Sequence, residues 1–271
     1  MAAATLSLSV ASPAFADTSQ ATAQAALVQL GTTPIATTGL VSATNDGTQA
    51  NPGVVTGNTT PALSLLGTQT LLGVGALVQQ AQADNNGTSA ACAGVVGSGG
   101  LIQIGPAGDC TIGGANPSGG VTVNLAPLTV LTADAILAQC TANSDGTTTA
   151  SATIVNGKVT VGGVTLLTLP VGTSANQGLD VPGVASLILN KQTTGTGSIS
   201  ATALDITLLG TVAHVALGTV TCGPNAVTPS TPTFPVKGLP IAAGTAAAAA
   251  VVALAVRRRR RATAAPAGEA L

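Results

Sequence analysis

The chain has 271 residues, of which 45% are hydrophobic, 1% aromatic and 6% charged. Both phenylalanines, Phe15 and Phe234, lie towards the ends, so the part between them must build its core from Val, Leu, Ile and Ala, which bury less apolar area than aromatic rings. Residues 17–236 contain eight aspartates and only two lysines. This sparse acidic surface argues against nucleic-acid binding, which needs clustered Lys and Arg on the folded part.

The first residues, MAAATLSLSVASPAFADTS, resemble a secretory signal peptide. A short apolar stretch precedes Pro13, and Ala14-Phe15-Ala16 has the small-x-small pattern that signal peptidase reads, although no basic residue opens the segment. We therefore predict a signal peptide over residues 1–16, cleavage after Ala16 and export of the rest. An N-terminal strand or helix of the folded domain is the alternative.

The central part, residues 17–226, has the composition of an all-β protein. It is rich in Thr, Val and Gly and contains repeated Asn-Gly and Asp-Gly pairs, which suit tight turns because they tolerate positive φ. Asn156-Gly157 predicts a hairpin between two strands, and Gly195-Thr196-Gly197 predicts a second. We expect a disulfide-stapled β-sandwich, either one large domain or two similar halves over 17–120 and 121–226.

One six-residue pattern occurs three times, at residues 43–48, 83–88 and 142–147. Each copy reads Ala, any residue, Asn or Ser, Asp or Asn, Gly, Thr. The Asp or Asn and the Gly accept left-handed backbone angles and the Thr opens the next strand, so the pattern predicts a reused turn. Calcium binding is the alternative, but each copy offers at most two carboxylates, fewer than a dedicated calcium loop.

The chain has four cysteines, Cys92, Cys110, Cys140 and Cys222. In an exported protein they favour two disulfides. Of the three connectivities we prefer Cys92 with Cys110, which closes a local loop worth about 3 kcal/mol in the chain-entropy model, and Cys140 with Cys222, which ties an early strand of the C-terminal half to the last strand. A zinc site is the alternative, although the chain has no Cys-x-x-Cys and a single His.

The last predicted strand, residues 211–222, contains the only histidine. Strict alternation puts His214 on one face with Val220 and Cys222, and because both faces are largely apolar we expect the strand to be central in its sheet. We favour a partly buried, structural His214. The alternative is a general base that works with an aspartate in a surface hydrolase, although the chain has no Gly-x-Ser-x-Gly nucleophile motif.

The lysines of the body, Lys158 and Lys191, raise a further alternative. Gram-positive adhesins can carry Lys to Asn isopeptide crosslinks inside β-sandwiches, assisted by a buried acid. Asn190 and Asp205 would be the partners here if the order of the strands brings them together.

The chain changes character after residue 226. Residues 227–237 alternate Pro with hydroxyl residues, which favours an extended spacer. Residues 238–256 carry no charge and, as a helix, would extend about 28 Å, enough to cross the hydrocarbon core of a membrane. A run of arginines follows: Arg257, Arg258, Arg259, Arg260 and Arg261. Since positive charge stays in the cytoplasm, we predict a transmembrane anchor with a cytoplasmic tail, 257–271, and an outward-facing body. A soluble core helix is the alternative.

The same region resembles the cell-wall sorting signal of Gram-positive surface proteins, in which Leu-Pro-x-Thr-Gly precedes an apolar run and a basic tail. Leu239, Pro240 and Gly244 supply the Leu, Pro and Gly, but Ala242 occupies the Thr position and the Gly comes one residue late. Sortase forms its acyl intermediate at that Thr. We therefore expect a retained membrane anchor in preference to attachment to the cell wall.

Residues 65–222 resemble the choice-of-anchor P family of actinobacterial surface proteins. The resemblance rests on three stretches: LLGVGALVQQAQADNNGTSAACAGVVGSGGLIQIG, ADAILAQCTANSDGTTTASATIVNGKVTVGG and VPGVASLILNKQTTGTGSISATALDITLLGTVAHVALGTVTC. It implies surface display of an exported body with a variable C-terminal anchor, and it brings no established activity with it. From the residues themselves we expect no cofactor. We expect a non-enzymatic cell-surface protein with a structural or interaction role and an unspecified envelope partner. A module that binds apolar ligands is the remaining alternative.

Overall fold

The computed structural model describes residues 17–47, 54–60, 72–113, 120–126, 128–172, 174–209 and 213–226. The predicted signal peptide with its cleavage site, the spacer, the anchor and the basic tail lie outside these residues. The described residues form strands and no helix, which confirms the all-β class. Accordingly, no helix able to cross a membrane occurs in this part of the chain.

The strands in chain order are β1 (Ser19–Leu30), β2 (Thr33–Thr37), β3 (Val41–Asn45), β4 (Val54–Thr60), β5 (Leu72–Val74), β6 (Ala76–Ala83), β7 (Ser89–Val96), β8 (Leu101–Ile104), β9 (Cys110–Gly113), β10 (Val121–Ala126), β11 (Thr129–Ala133), β12 (Ala135–Ala142), β13 (Thr148–Val155), β14 (Lys158–Val161), β15 (Val164–Thr168), β16 (Gln177–Val181), β17 (Ala185–Gly195), β18 (Ser198–Leu208) and β19 (Ala213–Cys222).

Seven strands form the front sheet, in the order β16-β17-β18-β19-β1-β2, with β3 following β2 along the same edge of β1. Strand β19 lies between β18 and β1, so the last strand is central, as its two apolar faces predict. Thr196-Gly197 joins β17 to β18, which pair antiparallel from Gly195 opposite Ser198. The hairpin predicted at residues 195–197 is therefore confirmed.

Two further sheets are continuous with each other. The back sheet has the order β13-β12-β7-β6-β4 and the extension sheet the order β15-β14-β11-β10-β5. Three strands pass from one sheet into the other through short bends, at Gly75 between β5 and β6, at Asp134 between β11 and β12, and at Asn156-Gly157 between β13 and β14.

The hairpin predicted at Asn156-Gly157 is therefore wrong. Strand β13 pairs with β12, and β14 pairs with β11 and β15, so the two strands flanking this dipeptide do not pair with each other. A type I′ turn needs positive φ at both central residues, but of this pair only Asn156 has it, at 53°. The Asn156 Nδ2 instead donates to Asp134 Oδ2 at 2.6 Å, which joins two neighbouring bends. The hairpin comes one strand later, at Gly162-Gly163, with φ of 57° and 83°.

The front sheet packs face to face on the back sheet, and the side chains between them change in size along the strands. At one end the interface is lined by buried small residues: Ala21, Ala23, Ala81, Ala91, Ala93, Ala138, Ala142, Ala152, Ala201 and Ala203. Towards the extension sheet the buried residues are larger: Val28, Leu77, Val95, Val123, Leu131, Ile136, Ile154, Leu187, Ile206 and Val215.

The small side chains bring the sheets unusually close. Cα atoms of facing strands, such as β1 with β6 and β19 with β7, come within 8 Å of each other, whereas stacked sheets ordinarily lie about 10 Å apart. A Cβ added to Gly218 would lie 2.7 Å from the carbonyl oxygen of Ala93 in the facing sheet. A body without Phe, Tyr or Trp thus fills its core by bringing the two sheets together and so reducing the volume between them.

The hairpin β8–β9 covers part of the outer face of the back sheet. Ile102 packs there with Val78, Val96 and Leu137 in a second, smaller apolar cluster. Two glutamines of the back sheet bind the hairpin: Gln80 Oε1 accepts from Ile104 N and Gln139 Oε1 accepts from Cys110 N, both at 2.9 Å.

Residues 17–120 and 121–226 are not separate halves. Strand β1 pairs with β19 and β7 pairs with β12, so both ranges contribute to the front and back sheets and share the main core. The described residues belong to one compact unit.

Candidate functional site

Lys191, Asp205 and His214 form a charged cluster on the outer face of the front sheet, on β17, β18 and β19. The Lys191 Nζ lies 2.7 Å from Asp205 Oδ2, and the His214 Nε2 lies 2.8 Å from Asp205 Oδ1. The Asp205 side chain is 6% exposed, against 43% for Lys191 and 27% for His214. Both oxygens of a buried acid are thus hydrogen-bonded, as a carboxylate removed from water requires.

A row of irregular residues crosses the front sheet beside this cluster. The regular pairing of β17, β18, β19 and β1 skips Asn190, Ala203, Gly218 and Ala25, and Asn190 and Gly218 have φ of 49° and 64°. Such left-handed residues shift the in-and-out alternation of side chains by one position.

The shift changes the face of His214. Val215 and Leu217 point into the core before the irregular row, and Val220 and Cys222 do so after it. His214 therefore does not share a face with Val220 and Cys222, contrary to the sequence prediction, because Gly218 interrupts the strict alternation on which that prediction depended. Its position on the outer face is what brings it to Asp205.

The His214 ring is enclosed at both nitrogens. Its Nε2 is bonded to Asp205, and its Nδ1 is buried without a hydrogen-bond partner in the described part of the chain. A general base needs one ring nitrogen directed at the proton that it removes. In this arrangement neither nitrogen of His214 is presented to a substrate.

The cluster also separates the residues considered for an isopeptide crosslink. Asn190 is 3% exposed, and its Oδ1 accepts a bond from Gln192 Nε2, which also donates to Ala150 O in the back sheet. The Asn190 amide therefore lies on the core side, whereas the Lys191 amine reaches Asp205 on the outer face. Lys158 lies on β14, in the extension sheet.

Two of the repeated six-residue patterns, at residues 83–88 and 142–147, are turns, as predicted, and they have the same hydrogen bonds. The copy at 43–48 extends beyond the described residues. In the β6–β7 turn Asp84 N donates to Thr88 O, and the Thr88 hydroxyl donates to Asn86 Oδ1 at 2.7 Å. In the β12–β13 turn Asn143 N donates to Thr147 O, and the Thr147 hydroxyl donates to Asp145 Oδ1 at 2.6 Å.

The hydroxyl and the backbone N–H of Thr147 together lower the pKa of Asp145 below its ordinary value. Within the described ranges no group of three or more His, Cys, Asp or Glu side chains is placed to hold a metal ion.

These turns lie at one end of the body, here called the turn end, together with the first and last described residues. Thr18 and Ala226 exchange two backbone hydrogen bonds of 3.0 Å. Asn225 binds three strands: its Oδ1 accepts from Gln20 N at 3.1 Å, and its Nδ2 donates to Ser89 Oγ at 3.1 Å and to Ala142 O at 2.8 Å.

A cleft of about 570 Å³ opens at the turn end between the β6–β7 turn and the β8–β9 turn. Its lining is polar, with Gln82, Asp84, Asn86, Thr88 and Asn143 among the residues that border it. The Asp84 carboxylate already accepts a bond from Gln82 Nε2 at 3.1 Å. This lining suits a hydrogen-bonding ligand better than the apolar ligand considered from the sequence.

No family model, curated protein or solved structure matches this chain.

The structure joins Cys92 to Cys110 and Cys140 to Cys222, the pairing preferred from the sequence, with Cα atoms 5.9 Å apart in both. The first disulfide fastens the β8–β9 hairpin to the back sheet. The second crosses the main core from β12 to β19.

The other sites predicted from the sequence lie outside the described residues. These are the cleavage site at Ala16 and the anchor residues Leu239, Pro240, Gly244 and Arg257 to Arg261.

Sequence reasoning missed Asn225 and Gln79. Asn225 follows the last strand in a stretch without periodicity, so no local signal marks it. Gln79 is 2% exposed and lies between Leu77 and Ala81 on the inward face of its strand. A lone amide at a core position of a predicted strand is a usable signal, since a buried amide needs partners.

Proposed function

We propose that this chain is an exported, membrane-anchored cell-surface protein without enzymatic activity, whose body is a disulfide-stapled β-sandwich with a structural or interaction role at the envelope. The observation that carries the proposal is the mutual pairing of Thr18 and Ala226 at the turn end. A leader removed after Ala16 and a spacer that begins at residue 227 both adjoin this end.

The two disulfides support the oxidising compartment that export implies. Cys92, Cys140 and Cys222 are fully buried in the folded body, so the bonds belong to the packed structure. The resemblance to the choice-of-anchor P family supports the same location, with an anchor following the body. The envelope partner is left open by this proposal.

A surface hydrolase has less support than the non-enzymatic role. Its base would be His214 and its acid Asp205, and the two are in contact at 2.8 Å. The second ring nitrogen, however, is buried rather than directed at a Ser or Thr hydroxyl. A role for the cluster in holding β17, β18 and β19 together accounts for all its contacts.

Fractionation of the native cell, with mass spectrometry of both termini, tests the proposal. We expect the protein in the membrane fraction, with Asp17 as its first residue, residues 238–256 retained and no free thiol. Attachment to the wall would instead give a C-terminus cut between Leu239 and Gly244. A cytosolic protein that retains residues 1–16 and has four free thiols would contradict the proposal.

A matched variant sharpens this test. A chain that ends at Lys237 keeps the body and the spacer but lacks the predicted anchor, so we expect it in the culture medium. Substitution of Arg257 to Arg261 by Gln keeps the apolar run and tests whether the basic tail fixes the orientation. If the chain ending at Lys237 stays with the membrane, the anchor lies elsewhere.

A further inference from the structure

We infer that residues 222–226 form an exit clamp, which passes tension from the C-terminal tether into both main sheets. The inference rests on the proposed anchoring, since a protein held by its C-terminus and bound to an outside partner is pulled at this point. It concerns how the body withstands that pull, which display at the surface does not itself specify.

The first component of the exit clamp is covalent. Cys222 ends β19 in the front sheet, and its disulfide partner Cys140 belongs to β12 in the back sheet. Both residues are buried, at 0% and 1% exposure. A pull that enters at Ala226 therefore meets a crosslink to the opposite sheet after four residues.

The second component is a set of hydrogen bonds over the same short segment. Gly223 N donates to Gln20 O at 2.9 Å, and Ala226 pairs with Thr18. Asn225 adds bonds to Gln20 in the front sheet and to Ser89 and Ala142 in the back sheet. The four residues after the disulfide are thus bonded to strands of both sheets.

The position of this clamp determines which strand is protected. Strand β19 lies between β18 and β1 and pairs antiparallel with both. Without a crosslink, a pull on its C-terminal end could detach β19 residue by residue, starting at Cys222. The disulfide holds Cys222 to β12, so in the oxidised protein only residues 223–226 can detach before the load reaches the paired sheets.

The other disulfide has a different place in the force path. Cys92 and Cys110 join the β8–β9 hairpin to the back sheet, away from the chain exit. Its removal weakens the fold but leaves the link between Cys222 and β12. It therefore provides a matched control for the loss of one disulfide.

Single-molecule pulling on the full, oxidised chain in detergent tests the clamp. One ligation tag is inserted in the spacer after Val236 and the other between Gly162 and Gly163, where the structure leaves open space around both glycines. We compare the wild type, the C140A/C222A variant and the C92A/C110A control. Circular dichroism first establishes that each one is folded.

We expect the fully extended path between the tags to be about 130 Å in the wild type and the C92A/C110A control, because their shorter covalent path runs through Cys140. For C140A/C222A we expect about 260 Å, at about 3.5 Å per residue. The clamp further requires that C140A/C222A unfold at a lower force than the control. Equal unfolding forces in these two variants would overturn the inference.

The N225A variant keeps both disulfides and tests the hydrogen-bonded component, which also covers the case in which C140A/C222A does not fold. We expect a separate early release of about 14 Å, as residues 223–226 detach at low force. A force trace identical to that of the wild type would remove Asn225 from the clamp. These outcomes do not depend on where fractionation locates the protein, so the clamp and the anchoring can fail separately.

Discussion

The Oε1 atom of Gln79 lies 2.6 Å from the backbone nitrogen of Ala25, so a back-sheet side chain satisfies a front-sheet N–H. Ala25 belongs to the irregular row that the β1–β19 pairing skips. The same oxygen also accepts the Thr38 hydroxyl at 2.8 Å, and Gln79 Nε2 donates to Gly39 O at 3.1 Å. The buried amide of Gln79 and the Thr38 hydroxyl thus satisfy the Ala25 N–H of the irregular row.

Replacement of Gln79 by Leu should destabilise the protein by about 1–3 kcal/mol, since it removes the closest acceptor of the Thr38 hydroxyl and the closer of the two acceptors of the Ala25 N–H. Urea unfolding of the oxidised protein measures the change. Gln29, on the outer face of β1, provides the control, and Gln29→Leu should stay within about 0.5 kcal/mol of the wild type. If the two variants lose the same free energy of unfolding, the contact between Gln79 and Ala25 contributes no more to stability than a surface glutamine does.

Loss of Asp205 should cost more than loss of Lys191. Asp205→Ala removes the acceptor for both Lys191 and His214, and because Lys191 is 43% exposed and can regain water we expect a moderate loss of about 1–3 kcal/mol. Lys191→Ala leaves the bond from His214 in place and should cost less than about 1 kcal/mol. The same unfolding experiment ranks them, and the reverse order would contradict a cluster centred on Asp205.

Removal of the Thr147 hydroxyl should raise the pKa of Asp145, because that hydroxyl is the leading cause of its lowered value. A carboxyl whose pKa is lower in the folded state stabilises the protein above its unfolded-state pKa, and this contribution is lost as the pH falls through the folded-state pKa. Carboxyl-carbon NMR titration of Thr147→Val should give a higher midpoint for Asp145 than in the wild type. Thr147→Ser keeps the hydroxyl and should titrate like the wild type; the prediction fails if the Val and Ser variants share one midpoint.

An alanine at position 218 should be poorly tolerated. Gly218 has φ of 64°, and an added Cβ would lie 2.7 Å from Ala93 O and 3.3 Å from Ala203 Cβ. Overpacking of this kind typically costs about 1–3 kcal/mol, to which the left-handed backbone adds. Gly178, on β16, has no atom within 4 Å of an added Cβ and is the matched control. Thermal unfolding should separate the two variants, and equal transitions would show that the sheets can move apart at no cost.

A thiol reductant should open the two disulfides in order. Cys110 is only partly buried, whereas Cys92, Cys140 and Cys222 are fully buried. Because exchange requires access of a thiolate to a sulfur, the Cys92–Cys110 bond should be reduced first in the native protein. Alkylation at intervals followed by peptide mapping gives the order, and earlier labelling of Cys140 or Cys222 would contradict the prediction.

The features that sequence could predict are those that depend on local backbone preference. Gly195-Thr196-Gly197 and the repeated turns at 83–88 and 142–147 can be predicted because Gly accepts left-handed angles wherever it occurs. The same preference led to the wrong prediction at Asn156-Gly157. A single left-handed residue can begin a hairpin turn, but it can equally bend a strand that then continues in the same direction. Only the partners of β13 and β14 distinguish the two cases, and pairing over that distance is not encoded locally.

The charged cluster could be predicted only in part. The sequence identifies His214 as a strand residue and pairs it with an aspartate in the hydrolase alternative. It assigns the wrong face, because Gly218 shifts the alternation four residues later. The choice of Asp205 as its partner depends on the register of β18 against β19. That register is fixed by packing along the whole front sheet, including the bulge at Ala203, and not by the residues beside either side chain.

The alanine-lined interface between the front and back sheets also bears on the entropy of folding. A buried Leu, Met or Phe gives up side-chain rotamers when it becomes fixed in a core, whereas Ala and Gly have no rotamers to give up. The narrow half of this core therefore orders its side chains at almost no entropic cost, which offsets part of the smaller apolar area that each residue buries. Enlarging Ala93 or Ala203 to Val would add apolar area there, but it would also separate the two sheets and introduce a side-chain torsion that has to be fixed.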